Sequence, residues 1–225
     1  MKRYVLRTAA PARAYRVDYT RELNAEQREV VFAPDGPTIV IAGAGSGKTR
    51  TLVYRVSRLV EDGIAPQRLC LLTFTNRAAR EMTRRVEALI GADVSGALAG
   101  TFHSVAARLL RPNAELIGYR PNFSILDTED AKDLLESATS DLAIPVTERR
   151  FPKGDLLREL LSLAVNRGRT LGEAVASEAP HFLAQLPAIE AVAKRYRERK
   201  VLANAMDYDD LLSNLKRLLE EHPEV

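Results

Sequence analysis

Lys48 and Thr49 follow a run of small residues, Ala42-Gly43-Ala44-Gly45-Ser46-Gly47, and that order of side chains suits phosphate chemistry. The glycines let backbone N–H groups converge on an anion without a Cβ in the way. The lysine supplies a mobile cation for the terminal phosphates, and the threonine hydroxyl suits Mg²⁺. Thr38-Ile39-Val40-Ile41 ahead of the loop is apolar and β-branched, so it reads as a buried strand. A helical pattern begins after Thr49, with Leu52, Val56, Leu59 and Val60 on one face and Asp62-Gly63 as its end. Strand, glycine loop and helix N-terminus together predict a nucleoside triphosphate site. Ala42 stands where the strict pattern has glycine, a small departure. Arg50, next to Thr49, joins the expected cofactor-binding set.

Three more stretches carry polar groups at informative places. Gln27 lies in Leu23-Asn24-Ala25-Glu26-Gln27, ahead of the loop. It has two readings: a capping box with Asn24, or an amide that matches the donor and acceptor on the adenine edge. Its place before this loop favours the second. Thr73-Phe74-Thr75-Asn76-Arg77 ends a second apolar run, Arg68 to Phe74, and opens a helix with Ala79, Met82, Val86 and Leu89 inward. Ligands of open α/β sheets bind at such carboxyl ends of strands. Thr75 and Asn76 suit phosphate oxygens. Phe74 is either a base-stacking platform or a core residue. Arg77, Arg80, Arg84 and Arg85 exceed Glu81 and Glu87, leaving a local positive surplus. Thr101-Phe102-His103-Ser104 repeats the pattern at the end of a third strand, Ala97 to Phe102. His103 is read as a nucleic-acid contact or a helix cap, because no second metal ligand stands near it in sequence.

The elements that position these groups follow from the pattern. Strands alternating with helices from residue 23 to 111 predict an α/β parallel sheet. After Arg111 the breaks at Pro112, Gly118 and Pro121 precede a short extended piece, Ser124-Ile125-Leu126. Asp127 or Thr128 then caps a helix, and leucine stripes continue to the end. Asp207 caps a last helix with Leu211, Leu212, Leu215, Leu218 and Leu219. The divisions expected are 1–22 as a lead-in, 23–111 as the α/β part with the nucleotide loop, 112–205 as a helical part and 206–225 as a last helix that could belong with either. The lead-in, with Tyr4 to Tyr19 as an irregular strand or hairpin, lacks the apolar core of a secretory signal. An organelle transit peptide is the alternative reading of its basic residues. With 225 residues, 46% hydrophobic and 28% charged, the chain supports a sizeable core. Its net charge of +3 is compatible with nucleic acid. No apolar run suits a membrane span. The single cysteine, Cys70, excludes an internal disulfide and is expected to be a buried thiol, which suggests a reducing, cytoplasmic setting.

LNAEQ, AGAGSGKT, TFTNRAAREM and GTFHS, in this order, with MDYDDLL at Met206 to Leu212, resemble the N-terminal part of UvrD/Rep-type superfamily 1 DNA helicases. The resemblance implies an α/β P-loop NTPase (RecA-like) parallel sheet with an inserted, mostly helical subdomain. It implies ATP and Mg²⁺ as cofactors, with Gln27 on adenine and Lys48 and Thr49 on phosphates and metal. It implies that Thr73 to Asn76 and Thr101 to Ser104 touch single-stranded DNA. A 3′ to 5′ translocase acting at duplex junctions, in repair or replication, is the corresponding activity, in a protein expected to be monomeric. No apolar strand ending in Asp-Glu follows Arg111, although the family uses such a pair to hold Mg²⁺ and activate water. These residues are therefore expected to be the N-terminal piece of a motor and not a competent motor alone. A stand-alone nucleotide-binding module for DNA or a protein partner, and a small-molecule P-loop kinase, are the competing readings.

Overall fold

A computed structural model describes residues 15–142 and 151–225, so Tyr4 to Ala14 of the predicted lead-in strand lie outside the described residues. The chain divides into two compact units, residues 1–102 and 103–225.

In the first unit, α1 (Tyr19–Glu22) and α2 (Ala25–Val31) precede the glycine loop and α3 (Lys48–Glu61). β1 (Cys70–Thr73), α4 (Asn76–Ile90) and β2 (Leu98–Thr101) follow. β1 and β2 are parallel and in register, Cys70 opposite Leu98 and Thr73 opposite Thr101. This agrees with the expected α/β alternation, although helices predominate. The buried stripe of α4 is Ala79, Met82, Val86 and Ile90, the last three packed in one core with Val53, Val56, Leu71 and Val94.

Two sequence expectations need correction here. Thr38 to Ile41 forms no strand and joins no ladder among the described residues, and Ile39 and Ile41 are 90% and 96% exposed. A β-branched run becomes a strand only when neighbouring strands take its N–H and C=O groups. Cys70 is exposed, not buried. Side chains alternate along β1: Leu71 enters the core, while Cys70 and Leu72 lie on the uncovered face.

Residues 15–18 form no strand or hairpin and instead strap the helices together. Glu61 accepts from the N–H groups of Arg16 and Val17 and from the Tyr19 hydroxyl. The Tyr15 hydroxyl donates to Asp62 (2.9 Å), and the Arg16 guanidinium crosses Gly91 to donate to the Ile90 carbonyl (2.9 Å). Tyr15, Tyr19, Phe32 and Tyr54 pack edge to face. Burial, then the hydrogen bond to Glu61 and its charge, push the Tyr19 hydroxyl well above the ordinary tyrosine range. An unfolded tyrosine releases its proton near pH 10. The folded form binds it more tightly, so this contribution is complete below about pH 10 and drains away as pH rises above that. Tyr19→Phe is expected to cost about 1–3 kcal/mol at pH 7 through the lost charge-assisted bond. It should also flatten the alkaline fall in stability, which urea midpoints at pH 7 and above pH 10 will measure.

The second unit opens with α5 (Phe102–Asn113), whose first residue belongs to the first unit. β3 (Ser124–Ile125) pairs in parallel with β4 (Ala205–Met206) and closes off a helical excursion. That excursion comprises α6 (Thr128–Asp141), α7 (Gly154–Arg167), α8 (Leu171–Glu178) and α9 (Leu186–Leu202) around Leu135, Leu157, Leu160, Val175, Ile189 and Val192. A second core joins α5 to α10 (Tyr208–Glu221) through Leu110, Ile117, Phe123, Leu211 and Leu218. Asp127 and Asp207 both act as N-caps, each in a reciprocal capping box.

Candidate nucleotide and nucleic-acid sites

Residues 42–47 form a turn that delivers the chain to α3 through two left-handed glycines, Gly45 (φ 77°) and Gly47 (φ 84°). Gly47 cannot be replaced without strain, since a Cβ there would also lie 2.9 Å from the Gln27 amide nitrogen. α3 has 14 residues, no side-chain cap on its first N–H groups and no acid in its first turn. Such an end presents free donors and the positive pole of the helix dipole to an anion. Ser46 Oγ donates to the Gly43 carbonyl (2.8 Å). The Lys48 ammonium donates to the carbonyls of Ala42 (3.0 Å) and Gly43 (2.7 Å), so it lies along the loop it would serve. Ala44, Lys48 and Thr49 are exposed. These groups fit a triphosphate: N–H donors and an ammonium for its oxygens. The Thr49 hydroxyl suits Mg²⁺, which prefers phosphate, water and a few protein oxygens.

Gln27 takes the capping-box role and is also bonded to the glycine loop. Its Oε1 accepts from the Asn24 N–H (3.3 Å), completing the capping box of α2, and its Nε2 donates to the Ser46 carbonyl (3.2 Å). The capping residue is thereby tied to the loop. α2 is held in turn by Arg55, whose Nη1 donates to the carbonyls of Val30 (2.8 Å) and Ala33 (3.0 Å). Arg50 turns to α1: its Nη2 meets the Glu22 carbonyl and carboxylate, both at 2.8 Å, and Tyr54 donates to the same carboxylate. It braces the loop helix against the segment that carries Gln27.

The register of β1 with β2 places the other motif residues. Thr73 lies opposite Thr101, so Phe74 and Phe102 are the residues that follow the carboxyl ends of two adjacent parallel strands. Phe74 is 96% exposed and Phe102 51% exposed. A phenylalanine this open is not a core residue, so the core reading of Phe74 falls away. Thr73 Oγ1 donates to the Thr75 carbonyl (2.8 Å), and Thr75 Oγ1 accepts from the Ala78 N–H (3.1 Å), so both hydroxyls shape the entry to α4. Asn76 begins the helix. Arg84 and Arg85 are both bound by Glu81, and their hydrogen bonds hold its carboxyl below the usual carboxylate range. Arg77 and Arg80 make no ion pair among the described residues, so the free positive charge sits in the turns nearest Phe74.

In the second unit, His103 and Ser104 lie in the first turn of α5. The His103 ring meets Tyr208 edge to face at 5.4 Å, and Tyr208 is 48% exposed. The sequence assigned Tyr208 no role. Its only signal was an aromatic at the first position of a capped helix, in MDYDDLL. Among the described residues no cluster of three or more His, Cys, Asp or Glu could hold a metal, and no helix is long and apolar enough to cross a membrane.

Comparison with known proteins agrees with the motifs. The family model for the UvrD/REP helicase N-terminal domain matches residues 23–225. The ATP-dependent DNA helicase PcrA of Staphylococcus epidermidis is 36% identical over 205 residues, covering 91% of this chain and 27% of the relative. The protein of the same name from Staphylococcus aureus is 35% identical over 204 residues, covering 90% of this chain and 27% of the relative. The chain thus spans about a quarter of the length of these curated relatives. With the match reaching from the leader at Leu23 through the glycine loop and both strand-end motifs to the last helix, the chain belongs to the UvrD/REP helicase N-terminal domain family.

Proposed function

We propose that this chain binds ATP with Mg²⁺ at residues 42–49 and single-stranded DNA at the carboxyl ends of β1 and β2. On this reading it is the N-terminal part of an ATP-dependent 3′ to 5′ DNA helicase or translocase of repair or replication, working at duplex junctions. Residues 23–111 form the ATP-binding part of a RecA-like domain, 112–205 its helical insertion and 206–225 the return helix. The observation that carries the DNA assignment is the pair Phe74 and Phe102, two exposed aromatic residues that each follow directly on a strand, the two strand ends being in register. Successive bases of a single strand stack on such platforms whatever their sequence. Arg77 and Arg80 supply phosphate contacts beside them, and His103 with Tyr208 offers a further aromatic contact in the second unit.

Gln27 discriminates the base and Lys48 neutralises phosphate charge, while Thr49 supplies one oxygen to the metal. Bound Mg²⁺ screens the phosphate oxygens and so favours attack at phosphorus. An Asp-Glu strand and an arginine finger are not among these residues, so binding without rapid turnover or unwinding is expected of the chain by itself.

Fluorescence anisotropy with a labelled oligothymidylate tests the proposal. Binding should weaken as salt rises, because phosphate contacts release counterions. Phe74→Ala should cost about 1–3 kcal/mol of that affinity with little change in stability, since the ring is exposed. If Phe74→Ala combined with Phe102→Ala binds as tightly as the parent, the strand ends are not the DNA site.

A further inference from the structure

Lys200, two residues before the end of α9, has a side chain only 5% exposed. Its ammonium lies 2.6 Å from Asp207 Oδ2 and 2.6 Å from Asp210 Oδ2, with the Tyr196 ring beneath it at 4.4 Å. The Tyr196 hydroxyl donates to the same Asp207 oxygen (2.8 Å). Asp207 and Asp210 cap α10 reciprocally: the Asp210 N–H donates to Asp207 Oδ1 (2.8 Å) and the Asp207 N–H to Asp210 Oδ2 (3.1 Å). One ammonium therefore grips both halves of the capping box.

Burial raises both carboxyls. For Asp207 the Lys200 charge and hydrogen bond outweigh burial and bring it below its ordinary value; for Asp210 burial and the neighbouring Asp207 charge win, and it rises. A buried ion pair of this kind adds little net stability over apolar packing, but it permits one arrangement of its partners. The arrangement here is the orientation of the first turn of α10. Asp209 of that turn is pinned separately by the Asn166 amide (2.9 Å), and Tyr208 between the two aspartates projects to meet His103.

We propose that Lys200 is a positioning residue for single-stranded DNA, acting through Asp207 and Asp210 to set the first turn of α10 so that Tyr208 is held against His103 with half its surface open to a base. The proposal rests on the DNA-binding reading above and deepens it.

The chain has no tryptophan, so Tyr208→Trp places a single indole reporter at this point. In that background Lys200→Met with Asp210→Asn removes the ammonium together with one carboxylate, and the asparagine carbonyl can still accept from the Asp207 N–H. Lys200→Arg keeps the charge. The charge-keeping variant should retain the indole anisotropy of the free protein and its quenching by oligothymidylate. The neutral double variant should melt as one transition close to the parent, yet lose indole anisotropy, lose most of the quenching and bind oligothymidylate about five- to a hundredfold more weakly, the range of one lost stacked base. Asp210→Asn alone, which keeps the Lys200–Asp207 pair, should show a smaller loss in the same direction and serves if the double variant does not fold. In a Tyr208→Ala background the same changes should add nothing, because residues acting through one side chain are not additive. Unchanged anisotropy and affinity in the neutral variants, or an undiminished further loss in the Tyr208→Ala background, overturns the proposal. If the parent itself does not bind oligothymidylate, the DNA reading fails, and the indole anisotropy of the free protein alone decides whether Lys200 sets this turn.

Discussion

Lys48→Ala is expected to weaken binding of ATP with Mg²⁺ by about 2–5 kcal/mol, the usual loss when one partner of a close charge pair is truncated. That corresponds to about thirty- to several thousandfold in affinity. The ammonium already follows the loop, bonded to the carbonyls of Ala42 and Gly43, so little rearrangement separates it from a phosphate held by the first N–H groups of α3. The side chain is exposed and its two bonds are to solvent-accessible carbonyls, so stability should change by less than about 1 kcal/mol. Lys48→Arg should recover only part of the affinity, since a planar fork replaces a compact point charge. Titration calorimetry of the three proteins decides the matter: equal ATP affinity in the parent and the alanine variant removes the phosphate loop from its assigned role.

Ile39→Lys combined with Ile41→Lys is expected to abolish self-association of this chain. Ile39 and Ile41 are almost fully exposed on a segment whose backbone joins no sheet among the described residues. A flat, apolar, β-branched edge of this kind templates pairing with another copy. Burying one isoleucine contributes about 1.5–3 kcal/mol, so removing two should lower a dimerisation constant by about a hundredfold or more. Sedimentation velocity across a concentration series reads this directly, with ATP binding as the control because residues 42–49 are untouched. A parent chain that stays monomeric at every concentration shows that the edge is protected.

The site residues were legible because their chemistry is local. The loop glycines, Lys48 and Thr49 need only a turn and a helix start, and the N-caps Asn24, Thr75, Asp127 and Asp207 act within three residues of themselves. Helices fared well for the same reason, since their hydrogen bonds are internal and their apolar stripes have one period. Strand status was not local. Cys70 to Thr73 and Leu98 to Thr101 found each other and became strands, whereas Thr38 to Ile41, with a stronger β composition, has no partner among the described residues. The same cause misplaced Cys70, because burial of a strand face depends on what lies over it.

By itself the sequence determined the glycine loop ahead of a helix, the order of the motifs and the family, because each depends on residue types at fixed short spacings. Only the tertiary structure decided that Gln27 caps α2 and holds the loop at once. It also decided that Thr73 and Thr101 end their strands in register, and that the Lys200 ammonium binds both Asp207 and Asp210. Each of these depends on strand register or on how the chain folds back between neighbouring elements, and no local pattern of residue types encodes that geometry.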